Sequence, residues 1–62
     1  MPIIQITLAE GRTAEQKKAV AEKVTDVLVQ ELNVSPDSIT VFLYELSKDH
    51  IARGGVLLSE QS

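Results

Sequence analysis

The sequence predicts an α/β fold: a single β-α-β unit with parallel strands and a short C-terminal hairpin, assembled into an oligomer. Three observations predict it. Two apolar, β-branched runs, PIIQITL at residues 2–8 and ITVFLYEL at residues 39–46, flank one long helical pattern at residues 14–32. A Gly54-Gly55 pair followed by Val56-Leu57-Leu58 carries a hairpin-type turn signal. The chain has 62 residues, 44% of them hydrophobic, and no cysteine, so it is marginal alone and has no disulfide to compensate.

In the first run, Ile4, Ile6 and Leu8 fall on one face of a strand, and Ile3, Gln5 and Thr7 on the other. Pro2 stands at its head, where a residue without an N–H costs no ladder bond. Gly11 then serves a turn, and Thr13 with Gln16 forms the T-x-x-Q pattern of a capping box. Glu15 in the first turn suits the helix dipole. Val20, Val24, Val27, Leu28 and Leu32 recur at helical spacing with Ala21 beside them, which predicts the core-facing stripe. Lys17, Lys18, Glu22, Lys23, Asp26 and Gln30 lie largely outside it, so Lys17 and Lys18 read as a solvated face. Pro36 in NVSPDS is the stop signal.

The second run is apolar on both parities, the pattern of a strand covered on both faces. Two strands joined through one helix form a parallel pair with a right-handed crossover. That helix covers one face of the pair. Nothing else in the chain is long enough to cover the other, so the sequence predicts that another subunit does. The tail reads as a small arm packed on a neighbour.

Composition narrows the function. A single His and no clustered ligands argue against a metal site. The net charge is −3 with acids and bases interspersed, which argues against a nucleic-acid footprint. One Tyr and one Phe do not make a base-stacking platform. The apolar runs are too short to span a bilayer, and no signal-peptide pattern opens the chain. The expectation is one domain, residues 1–62, cytoplasmic, with no nucleic-acid or membrane partner.

The Pro behind the initiator Met, the segment L-x-E-G-R-T-x-E-Q-K after the first strand, and the K-x-H-x-x-x-G-G tail together resemble the 4-oxalocrotonate tautomerases. The resemblance covers essentially the whole chain. It implies a cofactor-free isomerase of the tautomerase superfamily that moves a proton between enol and keto forms of a 2-oxo acid or dicarboxylate. The substrates implied are 2-hydroxymuconate and related compounds, as in aromatic hydrocarbon catabolism. It also implies a homo-hexamer, a trimer of dimers, in keeping with the uncovered sheet face.

On this resemblance Pro2 is the general base once Met1 is removed and its secondary amine is free. An apolar wall and neighbouring guanidinium groups both disfavour the ammonium form and free the lone pair. Ile3, Ile51 and Val41 are candidates for that wall. A base tuned to the working pH is worth roughly 10²–10⁴-fold in rate. Arg12 matches the family's substrate-binding arginine, and an arginine gives a carboxylate a bidentate fork that lysine does not. The residue also sits where a cation opposes the helix dipole, so its presence asks for a reason.

Two positions depart from the family. Thr40 stands where the family carries a second arginine, the one that polarises the carbonyl oxygen as charge develops. Ile51 stands where it carries an active-site Phe. Arg53, two residues further on, reads equally as a substitute cation and as a surface residue of the arm. The loss at Thr40 favours simpler enols such as phenylenolpyruvate over 2-hydroxymuconate. Hydratases and dehalogenases of the same superfamily carry a water-activating Glu at the position of Arg53, which leaves such chemistry at most weak and promiscuous here.

His50, the only imidazole, reads as structural. Glu10 and Glu45 read as turn and strand-end carboxylates, and Tyr44 as packing. A separate class stays open: a non-catalytic oligomeric protein, structural or ligand-binding, in which Pro2 merely starts a strand.

Overall fold

The computed structural model describes residues 1–61. Strand β1 (Ile3–Ala9) leads through a four-residue loop into helix α1 (Ala14–Leu32), which returns the chain to strand β2 (Thr40–Leu46). The two strands pair in parallel from Ile3 opposite Thr40 to Ala9 opposite Leu46. Two short strands, β3 (Ala52–Arg53) and β4 (Val56–Leu57), form a separate antiparallel ribbon. The expected β-α-β unit and C-terminal hairpin are both present.

Local chemistry sets the boundaries. Pro2 lies just outside the ladder, but its carbonyl still accepts the Thr40 N–H at 3.1 Å. Gly11, at φ 116°, makes the turn that leaves β1. The Thr13 hydroxyl accepts the Gln16 N–H at 3.1 Å, and the Gln16 side-chain oxygen accepts the Thr13 N–H at 3.0 Å. This reciprocal pair satisfies two donors that the helix start would otherwise leave free. The helix ends earlier than its proline signal. Asn33 adopts a left-handed conformation (φ 55°, ψ 49°) and donates to the Val29 carbonyl, while Pro36 opens a short 3₁₀ turn, Pro36–Ser38.

The register sorts the sheet into two faces. Ile4, Ile6 and Leu8 share the helix side with Val41, Leu43 and Glu45, because side chains alternate along each strand. Ile3, Gln5 and Thr7 share the open side with Thr40, Phe42, Tyr44 and Leu46. On that open side Ile3 is 57% exposed, and the stacked rings of Phe42 and Tyr44 are 42% and 44% exposed. The second strand is therefore apolar on both faces, as predicted, but this chain covers only one of them.

The helix stripe needs correction. Val24 and Leu28 are half-buried, as expected, but Val20, Val27 and Leu32 stay exposed at the margins of the stripe, with Val27 56% exposed. The side turned to the sheet runs through Lys17, Ala21, Val24 and Leu28 instead, and Lys17 is not part of a solvated face. Its ammonium pairs with the Glu45 carboxylate at 2.5 Å, tying the first turns of α1 to the end of β2. Val20 and Val27 instead line open depressions beside Leu8 and Ile4, which the chain leaves uncovered.

Among the described residues none is buried. The radius of gyration is 14.8 Å and the molecule measures 43 × 23 × 14 Å. A compact chain of this length has a radius of about 11 Å. A two-stranded sheet of this kind is marginal in water without further partners, and among the described residues both of its edges are unpaired.

Candidate active site

Parallel pairing places the start of both strands at one end of the sheet and their finish at the other. Pro2 and Thr40 lie at the starting end, joined by the 3.1 Å bond from the Thr40 N–H to the Pro2 carbonyl. Arg12 lies beyond the finishing end. There the Glu10 N–H donates to the Leu46 carbonyl at 2.9 Å, which fixes the E-G-R loop against the last residue of β2. The arm carrying Ile51 and Arg53 leaves β2 from that same end through the 3₁₀ turn Lys48–His50. Six steps of strand separate the two ends, about 20 Å at ~3.3 Å per residue.

The predicted site residues therefore fall into two groups that one chain does not bring together. Pro2 and Thr40 form one group. Arg12 lies at the other end, from which the arm carrying Ile51 and Arg53 departs. Small 2-oxo acids such as 2-hydroxymuconate are far shorter than the gap, so a site using both groups draws them from different copies.

The surroundings of each group are distinct. Met1, ahead of Pro2, is 88% exposed. With Met1 attached the Pro2 nitrogen is an amide, without a basic lone pair. Ile3 follows on the open face, whereas Val41 lies across from Ile4 on the helix side. Of the proposed wall residues, then, Val41 and Ile3 sit on opposite faces of the sheet. At the other end, Arg12 lines an open depression with Leu8, Gln16, Lys17, Ala19 and Val20. Its walls are largely aliphatic, and its cations are Arg12 and the Glu45-paired Lys17. Among the described residues the Lys17–Glu45 pair is the one ion pair, so Arg12 and Arg53 have no carboxylate partner within the described chain.

Sequence reasoning misses that ion pair. A signal is present: Lys17 is in helical step with Ala21, Val24 and Leu28, and Glu45 has the helix-side parity of Val41 and Leu43. His50 is exposed, and its backbone N–H donates to the Ser47 carbonyl to close the turn after β2.

The family model described as tautomerase enzyme matches residues 2–61. This chain belongs to the tautomerase family. It is 46% identical over 61 residues to a probable tautomerase from Bacillus cereus, covering 98% of this chain and 100% of that one. It is 42% identical over 60 residues to the 2-hydroxymuconate tautomerase of Bacillus subtilis, covering 97% of each. The crystal structure of a 4-oxalocrotonate tautomerase homologue superposes with a TM-score of 0.94 at 34% identity, covering 100% of this chain and 98% of that one. The tautomerase match spans both groups of candidate residues, Pro2 at one end of the sheet and Arg12 at the other.

Proposed function

We propose that this tautomerase-family chain catalyses cofactor-independent enol–keto proton transfer in 2-oxo acids of the 2-hydroxymuconate or phenylenolpyruvate type. In this reading Pro2 is the general base after Met1 removal. The observation that carries it is the pairing of a proline directly ahead of β1 with an uncompensated Arg12, in a chain whose family is that of the tautomerases.

The chemistry follows from the groups. Arg12 takes the carboxylate next to the enol through two parallel N–H···O bonds and sets the register of the substrate. The Pro2 nitrogen accepts the enol hydroxyl proton, the C–O bond becomes a carbonyl, and the double bond shifts along the chain. The resulting prolinium returns the proton to the carbon terminus of the conjugated system. No atom is gained or lost, and a single nitrogen acts first as base and then as acid. Ile3 and Ile51 supply apolar surface that disfavours the ammonium form.

Because Pro2 and Arg12 of one chain lie about 20 Å apart, the working site forms between copies. The exposed sheet face, the exposed valines of α1 and the absence of any buried residue among those described support a homo-oligomer. A hexamer built as a trimer of dimers is the assembly proposed, and a cytoplasmic location goes with it.

Thr40 favours a second reading, in which the fold binds a 2-oxo acid without turning it over, since a hydroxyl stands where an oxyanion-stabilising arginine is expected. One experiment separates the two. Ketonisation of 2-hydroxymuconate and phenylenolpyruvate is followed with protein whose N-terminus has been defined by intact mass. Rates that appear only in Met-free protein establish the Pro2 amine as the catalytic group. Background rates in both Met-free and Met-retaining protein leave the binding reading.

A further inference from the structure

Arg12 stands on a loop that packing does little to hold. Gly11, immediately before it, takes a positive φ of 116°, and a Cβ added there would meet nothing within 4 Å. The anchors are the two residues that flank the Gly11-Arg12 pair. On one side the Glu10 N–H donates to the Leu46 carbonyl at 2.9 Å. On the other, Thr13 is bound into α1: it shares the capping box with Gln16, and its carbonyl accepts the Lys17 N–H at 3.1 Å. The first anchor is on β2 and the second on the helix. The place of Arg12 relative to the end of β2 therefore depends on how the first turns of α1 sit against that strand.

The Lys17–Glu45 pair sets that seat. Glu45 directly precedes Leu46, so both ends of the loop are tied to consecutive residues of one strand. Among the described residues this pair is the one hydrogen bond between α1 and the sheet. Apolar packing is non-directional, whereas a charge-assisted bond fixes distance and angle. Lys17 also lines the depression that holds Arg12, but its charge is matched by Glu45, which leaves Arg12 as the uncompensated cation there.

We propose that Lys17 and Glu45 are positioning residues for Arg12: their ion pair seats the first turn of α1 on the end of β2 and so sets how the Arg12 guanidinium meets a substrate carboxylate. This rests on the tautomerase reading above, in which Arg12 binds that carboxylate. The carboxylate keeps its charge throughout the proton transfer, so Arg12 holds ground state and transition state alike. Loosening it is then expressed in KM and not in kcat.

The test measures kcat and KM for 2-hydroxymuconate and phenylenolpyruvate in Met-free wild type, Lys17→Met, Glu45→Gln and Lys17→Arg, with size-exclusion chromatography as the check on assembly. Lys17→Met and Glu45→Gln are each expected to raise KM about 3–5-fold, near the most that a partly exposed ion pair can hold, with kcat little changed. The direction decides between causes. A charge effect on an anionic substrate moves the two variants oppositely, because one removes a positive charge and the other a negative one. Lost positioning raises KM in both. Lys17→Arg, which keeps the cation and its reach, stays close to wild type. In an Arg12→Ala background Glu45→Gln adds no further loss in kcat/KM, because the group being positioned is gone. A lowered KM in Glu45→Gln, or the same loss with and without Arg12, overturns the assignment while leaving the tautomerase reading intact. Failure of the wild type on both substrates sinks that reading itself and the positioning role with it.

Discussion

The Thr40 amide donates to the Pro2 carbonyl at 3.1 Å, which makes Thr40 the β2 residue tied by hydrogen bond to the proposed base. Register puts the Thr40 side chain on the open sheet face with Ile3. A hydroxyl there offers one neutral donor where the family resemblance expects a guanidinium. Thr40→Arg is expected to raise kcat for 2-hydroxymuconate by about 10-fold, since a positioned cation at a developing oxyanion is worth at least that much. Steady-state kinetics on Met-free protein checks it. A change confined to KM would place the new cation on a carboxylate and not on the reacting oxygen.

The identity of the first nitrogen decides the chemistry. Pro2→Ala keeps a free α-amino group at the same end of β1 but replaces a secondary with a primary amine. The expected outcome is partial activity. A Met-retaining preparation, whose Pro2 nitrogen is an amide, is expected to lose the whole contribution of the base, roughly 10²–10⁴-fold. Intact mass run beside each rate assay assigns the activity to one form. Equal rates in the two forms would remove Pro2 from the mechanism.

Much of this molecule is legible from residue order. The helix bounds, the Thr13–Gln16 box and the Gly54-Gly55 turn each depend on contacts within a few residues, which a sequence pattern encodes directly. Strand limits differ by one residue from the apolar runs because the ladder ends where its partner ends, with Pro2 outside it and Ala9 drawn in opposite Leu46. The helix stripe is harder to read. Val20 and Val27 are as apolar as Val24, and periodicity does not say that this chain's own sheet covers Val24 and leaves its flanking valines exposed. Lys17 is misread for the same reason: its partner Glu45 is 28 residues away. Candidate site residues can be named from the sequence, but their arrangement cannot. Parallel pairing separates Pro2 from Arg12, a fact that belongs to the topology and not to any local motif.

Stability offers a check independent of activity. The Thr13 hydroxyl satisfies one helix N–H and orders the Gln16 side chain over another donor. Thr13→Ala is expected to cost about 1 kcal/mol per chain. Denaturant unfolding at fixed protein concentration measures this, because assembly makes the midpoint concentration-dependent. The Lys17–Glu45 pair is a contrasting case. Its side chains are 28% and 33% exposed, so Glu45→Gln is expected to cost less than about 1 kcal/mol, with the difference shrinking as salt is added.

The open sheet face yields the sharpest structural prediction. Phe42 and Tyr44 stack with ring centroids 6.1 Å apart on a face that no described element of this chain covers. If a second copy covers that face, each copy gains the burial of these rings, roughly 1.5–3 kcal/mol for a fully buried Phe. A chain of 62 residues with no buried residue among those described has no comparable reserve elsewhere. Phe42→Lys is therefore expected to shift the protein from oligomer to monomer and to lower its helical content in the same step. Analytical ultracentrifugation and far-ultraviolet circular dichroism across a dilution series read the two quantities together. In the wild type both signals should fall together at low concentration, with the midpoint moving up in Phe42→Lys. A monomer that keeps its full helical signal would mean that the β-α-β unit is stable alone, and the aromatic pair would then need another explanation.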